Sequence, residues 1–254
     1  MTPAETATAE LYADLHRYAS PSFARDYFLP GFRAHLQALG LPPDNALSGQ
    51  RILDAGCGGY AAGIVVSMAA GAARAVGVDF SWGNIAAARR RMEGVANVRF
   101  ECANLLHLGF QDNTFDFVYC NGVLMITEDP QGGFRELVRV LKPGGRLYIG
   151  VYGRGGIFNE IAVPIFKRAG RGIPRAATTT ILRYVPWLLR PSTSLLDFMY
   201  VPIERHYKSG DVADWFRELG MTPTFLRHYY QPDTPLNRLL YGEGTMLFFS
   251  AVKP

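Results

Sequence analysis

Cysteine is scarce in this 254-residue chain: Cys57, Cys102 and Cys120 are scattered, with no C-x-x-C pair and no histidine beside them at metal-ligand spacing. That pattern argues against a disulfide framework or a metal centre, and the three read as structural thiols. No run approaches the roughly 18 apolar residues that a membrane helix needs. The opening "MTPAETATAE" has neither the basic start nor the apolar stretch of a secretory signal. A soluble, cytoplasmic protein is expected. The net charge of +4 is too small to imply a nucleic-acid partner. Acid is missing locally, however. Between Glu160 and Asp197 there is none, while Lys167, Arg168, Arg171, Arg175, Arg183 and Arg190 supply six cations.

What is present suits one large core with additions, since 48% of residues are hydrophobic and 19% charged. From Arg51 to Tyr152, short apolar runs alternate with segments of helical spacing. "RILDAG", "RAVGVDF", "NVRFEC", "FDFVYCNG" and "RLYIGVYG" read as buried strands; Ser81 to Met92 and Gln131 to Leu141 read as helices. Such alternation predicts an α/β fold, a doubly wound and mostly parallel sheet whose ligands bind at the carboxyl ends of its strands. Four segments are expected: a helical lid over 1–44 broken at Pro21 and Pro30, a cofactor-binding core over 45–152, a basic helical cap over 153–207, and a completion of the core over 208–254. In the last, "SGDVADWFRELG" predicts a helix with Ser209 as N-cap.

The loop after the first strand, "ILDAGCGGY", has glycines where a strand turns into a helix, with Asp79 about twenty residues on, as in a dinucleotide site. Asp54 decides against a pyrophosphate, which a carboxylate beside the helix N-terminus would repel. S-adenosylmethionine carries a sulfonium and an ammonium instead. Asp54 can attract the ammonium while glycine-freed amides take the methionine carboxylate; the plainer alternative is that Asp54 caps the next helix.

The match extends beyond this loop. "ILDAGCGGYAAG", "VGVDFSWGNIAAARRR", "VRFECANLLHLGFQDNTFDFVYCNGVL" and "ELVRVLKPGGRLYIG" resemble, in order and spacing, the class I S-adenosylmethionine-dependent methyltransferases over roughly residues 48–152. The resemblance implies a seven-stranded sheet with its last strand antiparallel, S-adenosylmethionine as cofactor, and methyl transfer to a small molecule. It implies that Gly56 and Gly58 line the methionine moiety, Asp79 holds the ribose and Phe80 packs on the adenine. Ala103 and Leu105 flank the ring, and Asn121 lies beneath the sulfonium. Asn104 stands where relatives often have an acid that accepts from the adenine amino group; it also suits a turn. Tyr18 joins this set from the lid.

Acceptor residues in this family come from the lid, the loop after the fourth strand and the insertion after the fifth. Candidate bases are His16 in the lid, and His206 and Tyr207 in "ERHYKSGD", where a structural hinge explains the same residues. Tyr12, Met125, Tyr152, Tyr200 and Tyr229 are candidate acceptor contacts, with Met125 and Ile126 making an apolar wall. The basic insertion suggests an anionic or aromatic acceptor, a substrate on a carrier protein, or peripheral contact of "ILRYVPWLLR" with a membrane holding a lipid or quinone. A solvated arginine face is the plain alternative. Neither a base-flipping motif nor an appended binding domain is present, so nucleic-acid methylation is not expected. Cyclisation of the cofactor's own side chain is the chemical alternative to methyl transfer, and a cofactor-binding assembly protein is the non-enzymatic one. Oligomeric state is open.

Overall fold

The computed structural model describes residues 3–17, 22–174, 177, 199–227 and 234–254. Its centre is a seven-stranded sheet of order β3-β2-β1-β4-β5-β7-β6. The strands are β1 (Arg51–Ala55), β2 (Arg74–Asp79), β3 (Val98–Cys102), β4 (Phe115–Asn121), β5 (Leu141–Tyr152), β6 (Thr224–Leu226) and β7 (Met246–Val252). β7 runs antiparallel to both β5 and β6, and the pairs among β1 to β5 are parallel.

Period-two alternation explains why β1, β2, β4 and the second half of β5 read as apolar runs, whereas β3, at the sheet edge, alternates with exposed Arg99 and Glu101. Leu53, Val76, Val118 and Ile149 face one apolar layer, closed by Phe134, Leu137, Val212 and Phe216. Ile52, Ala75, Phe117 and Tyr148 face the other, closed by Phe32, Leu36, Ile64 and Ile85. A strand buried on both faces has no polar side to betray it.

The covering helices are α1 (Pro3–Arg17), α2 (Leu29–Ala38), α3 (Ala62–Ala69), α4 (Trp82–Arg91), α5 (Pro130–Val140), α6 (Val163–Gly170), α7 (Ser209–Glu218) and α8 (Pro235–Tyr241). α1 packs on α4. α2 is tied to the sheet by a buried polar link. His35 Nε2 lies 2.7 Å from the Arg227 carbonyl, to which it must donate, and Nδ1 lies 2.7 Å from the Tyr148 hydroxyl, from which it then accepts. Burial holds the His35 imidazole below its usual range, which keeps it neutral in that role.

Two expectations are corrected. Pro30 does not break its helix: the π-helical turn Ala24–Phe28 runs directly into α2, with Pro30 at the second position. Amides in a π turn reach back five residues, which relieves the clash between the proline ring and the carbonyl four residues earlier. Pro164 repeats the device, behind the π turn Phe158–Ala162 and at the second position of α6. Pro21 lies outside the described residues. The N-cap of α7 is Lys208, not Ser209. The Ser209 amide and hydroxyl instead donate to Glu243, at 2.7 and 2.6 Å, while Asp211 accepts from the Lys208 amide at 3.2 Å.

Candidate functional site

A cleft opens at the carboxyl ends of β1 to β4. Gly56 follows β1, Asp79 ends β2 and Phe80 follows it, Ala103 to Leu105 follow β3, and Val123, Ile126 and Thr127 follow β4. Thr8 of α1 is buried and closes the space from above. The walls are therefore mostly apolar, with one carboxylate, one amide and two hydroxyls.

The floor is the loop between β1 and α3. Gly56 has φ +79°, and a Cβ there would lie 2.2 Å from Val123 Cγ2, so only glycine fits. The amides of Gly56 and Cys57 both donate to the Val78 carbonyl at 2.8 Å, and that of Gly58 to Asp79 Oδ2 at 2.9 Å. These three amides are thus spent inside the fold. The expectation that the glycine-freed amides take a ligand carboxylate is corrected for them. Cys57 is buried, and burial first, then Asp54 and Asp79, push its thiol well above the usual range. It fills space and is not a nucleophile.

Asp54 is buried where β1 meets α3. Its Oδ2 accepts from the Ile64 amide at 3.0 Å, and a Cβ on Gly63 would lie 2.5 Å from Oδ1, so glycine lets the helix N-terminus settle on the carboxylate. Burial pushes Asp54 up to about 7; the Ile64 and Gly63 amides oppose this, and the charge of Asp79 adds to it. Asp79 accepts from the Gly58 amide, the Ser81 amide at 2.9 Å and Asn84 Nδ2 at 3.1 Å, which ties the glycine loop to the start of α4. Burial raises its carboxyl, and those three donors recover part of the shift. A carboxylate offers about four acceptor positions, so one remains for a ligand hydroxyl.

Around the far end of the cleft, Phe80, Ala103 and Leu105 form an apolar slot. Asn104 Oδ1 accepts from the Leu106 amide at 2.9 Å, a side-chain turn that holds the loop after β3. Asn121 does not line the cleft: Nδ2 donates to the Tyr119 hydroxyl at 3.2 Å, and Oδ1 is buried against Gly150 without a partner.

The predicted acceptor residues divide. Tyr12, Tyr200, Leu11, Val201 and Ile126 pack into one small cluster, and Ile126 also lines the cleft, so α1 and the chain returning from the insertion meet directly over it. Met125 is fully buried in the main core and is not part of the wall. The reason is the one-turn 3₁₀ helix Leu124–Ile126, which turns Leu124 and Met125 inward and Ile126 outward. Among the lining residues, Thr8, Val78, Val123 and Thr127 were not anticipated from sequence. Thr8 had a signal, since it stands three and four residues before Leu11 and Tyr12 on one face of α1.

His206 is held in a buried ion network. Its Nε2 lies 2.7 Å from Glu204 Oε1, Nδ1 lies 3.0 Å from the Gly153 carbonyl, and the ring stacks on Tyr152. Glu204, whose side chain is 1% exposed, reaches Lys167 Nζ of α6 through its other oxygen at 2.6 Å. Burial pulls the imidazole down, but Glu204 and the Gly153 carbonyl outweigh it and leave His206 raised. Both ring nitrogens face acceptors, an arrangement that favours the protonated ring over one with a free lone pair. Tyr207 packs edge-on against Trp215, with its hydroxyl buried and unpartnered. Asp129, the N-cap of α5, accepts from the Gly132 amide at 2.8 Å. Of the remaining candidates, His16 belongs to α1 but its side chain is outside the description, and Tyr18 and Tyr229 lie outside the described residues.

Residues 53–149 match the family model described as a methyltransferase domain. A demethylmenaquinone methyltransferase of Clavibacter sepedonicus is 31% identical over 176 residues, 68% of this chain and 66% of that protein. One of Staphylococcus saprophyticus is 35% identical over 104 residues, 41% of this chain and 45% of the relative. A solved S-adenosylmethionine-dependent methyltransferase of Thermotoga maritima, described as a possible histamine N-methyltransferase, superposes with a TM-score of 0.60 at 16% identity. That match covers 98% of this chain and 99% of the other and shows likeness of fold. The chain belongs to the class I S-adenosylmethionine-dependent methyltransferases. It spans 40–66% of the length of the first curated relatives it matches.

The cleft fits the cofactor of such methyltransferases by its own geometry. A glycine that no Cβ can replace lies at one end and an apolar slot at the other, with the Asp79 carboxylate between them. Among the described residues there is no cluster of three or more metal-ligating side chains, and no helix is long and apolar enough to cross a membrane.

Proposed function

We propose that this chain transfers a methyl group from S-adenosylmethionine to a small, apolar, aromatic acceptor held beneath α1 and the segment that returns from the insertion. The cofactor supplies an electrophilic methyl carbon on a sulfonium. The protein supplies position: Asp79 takes a ribose hydroxyl on its remaining acceptor site, Phe80 and Leu105 grip the adenine, and Asp54, buried and not itself part of the lining, draws the ammonium end toward α3 by its charge. Thr8 excludes water from above, which is what an in-line displacement between atoms about 3 Å apart requires.

The acceptor class rests on the composition of the lining. Asp79 is the one titratable residue among those described around the cleft, and it is engaged by three donors. Such a wall offers no general base beside the acceptor. It suits a phenolate, which is ionised before it enters and leaves no proton to remove, or an electron-rich ring carbon of a reduced quinone, whose displaced ring proton passes to water after transfer, over an alcohol or ammonium that must lose its proton first. The names of the Clavibacter and Staphylococcus relatives point the same way.

Labelled S-adenosylmethionine should be incubated with the protein and a panel holding a reduced prenylated quinone, small carboxylic acids and primary amines. Label is expected in the quinone. Label confined to an acid or amine would overturn the aromatic reading, and S-adenosylhomocysteine formed without labelled acceptor would overturn methyl transfer itself.

A further inference from the structure

The insertion after β5 presents a face that a water-soluble surface does not explain. From the π turn through α6, Asn159 and Val163 are buried, while Ile157, Ile161 and Ile165 are 44%, 54% and 59% exposed. These isoleucines recur every fourth residue, so they form one stripe along the helix. Ile173, just beyond α6, is also exposed. α8 contacts the π turn, with Phe158 and Tyr241 rings 5.8 Å apart, and carries Leu236 and Leu239 at 63% and 60% exposure. Five large aliphatic side chains on two neighbouring helical segments, with Ile173 just beyond one of them, make a patch that marks an interaction site.

Charge identifies the occupant. Within residues 153–174, Arg154 pairs with Glu160 and Lys167 with Glu204, which leaves Arg168 and Arg171 exposed and without an ion pair among the described residues. The next acid in the sequence is Asp197, so nothing downstream in that stretch reverses the sign. An aliphatic stripe ending in unpaired arginines matches an anionic bilayer, whose acyl region takes the isoleucines and whose headgroups take the guanidinium groups. An acidic protein would satisfy the arginines and leave the aliphatic stripe without a reason.

We propose that the face formed by Ile157, Ile161, Ile165, Leu236 and Leu239, with Arg168 and Arg171, docks on an anionic membrane surface. The dock lies close to the cleft in the chain of contacts. Tyr200 donates to the Ile173 carbonyl at 3.0 Å, and the same tyrosine packs with Ile126 of the cleft wall. An acceptor leaving the bilayer beside α6 therefore meets the roof of the site first. The surface stands whatever acceptor the cleft takes, because its residues are separate from those that line the cleft.

The test is co-sedimentation with vesicles of phosphatidylglycerol and phosphatidylcholine in roughly equal parts, against pure phosphatidylcholine, with no acceptor or methyl transfer involved. Wild-type protein should sediment with the anionic vesicles at low salt and be released as salt rises. Arg168→Ala and Arg171→Ala should each weaken binding about fivefold. The double variant I161E/I165E should lose binding by about tenfold or more while keeping S-adenosylhomocysteine binding, because both side chains are exposed. Wild-type protein left in the supernatant would overturn the proposal. So would a double variant that binds as wild type does, that unfolds because the stripe is covered by another part of the chain, or that abolishes a self-association seen without vesicles.

Discussion

Lowering the pH from about 8 to about 5 should weaken S-adenosylmethionine binding by a factor set by one buried carboxylate. Asp54 is 2% exposed and its carboxyl is pushed up to about 7. A ligand ammonium drawn to it favours the ionised form, so below that value binding must also expel a proton. Affinity then falls about tenfold per pH unit, on the order of 100-fold near pH 5, and it levels off above pH 8. Calorimetry in buffers of different ionisation enthalpy counts the protons: close to one released at about pH 6, about half at about pH 7 and almost none at about pH 8. S-adenosylhomocysteine, which keeps the ammonium and lacks the sulfonium, should show the same profile. Asp54→Asn should flatten it. The same shift has a stability consequence whose sign is fixed. A raised carboxyl binds its proton more firmly when folded, so stability is greatest at acid pH and declines as pH rises from about 4 to about 7. The roughly three units of displacement amount to about 4 kcal/mol. Asp54→Asn should therefore melt higher than wild type at about pH 8, where the charge is otherwise forced on the fold. Affinity independent of pH over this range, with no proton released near pH 6, would refute the assignment of Asp54 to the ammonium and leave it as a helix cap only.

Glu204→Gln strips the buried partner from both His206 and Lys167 and should cost about 3–5 kcal/mol in denaturant unfolding. Because the His206 imidazole is raised in the folded protein, its contribution is present below the unfolded value and is lost as pH rises through the folded one; thermal melts across neutral pH should show that loss in wild type and not in the variant. Gly56→Ala places a methyl 2.2 Å from Val123 Cγ2 on a left-handed backbone, so it should destabilise the fold by about 1–3 kcal/mol and remove measurable cofactor binding by calorimetry. A thiol reagent should modify one cysteine, the half-buried Cys102, in native protein and all three after denaturation, since Cys57 and Cys120 are buried and burial pushes their thiols up.

The sheet was legible because every signal for it is local. β1, β2 and β4 are apolar on both faces, each closed by a residue that cannot continue the strand, and no helix-period reading competes with them. The features that sequence could not show depend on partners far along the chain or on a local change of helix type. Ser209 has the residue type of an N-cap, yet its amide and hydroxyl go to Glu243, 34 residues on, and the cap shifts to Lys208. Pro30 and Pro164 have the residue type of a helix break, and a widened turn ahead of each removes the clash. "ERHYKSGD" has the residue types of a catalytic cluster. What decides the state of His206 is Glu204 beside it, the Gly153 carbonyl 53 residues back and, through Glu204, Lys167 of α6.

That last network shows where the insertion acts. Arg205 sits between Glu204 and His206: its amide donates to the Met125 carbonyl at 3.0 Å, and its guanidinium donates to the carbonyls of Thr127 and Glu128. Ile126 and Thr127, inside that grip, line the cleft. Two residues on, Tyr207 exchanges backbone hydrogen bonds with Tyr152 and Arg154 at the end of β5. The four residues from Glu204 to Tyr207 thus fasten α6, the end of β5 and the cleft wall at Ile126 and Thr127 to one another. The glycine loop, Asp54 and Asp79 lie outside this fastening and are held by β2, α3 and α4. The cleft wall at Ile126 and Thr127 is therefore tied through Arg205 to the insertion, while Asp54, Asp79 and the glycine loop are tied to the sheet and its first helices.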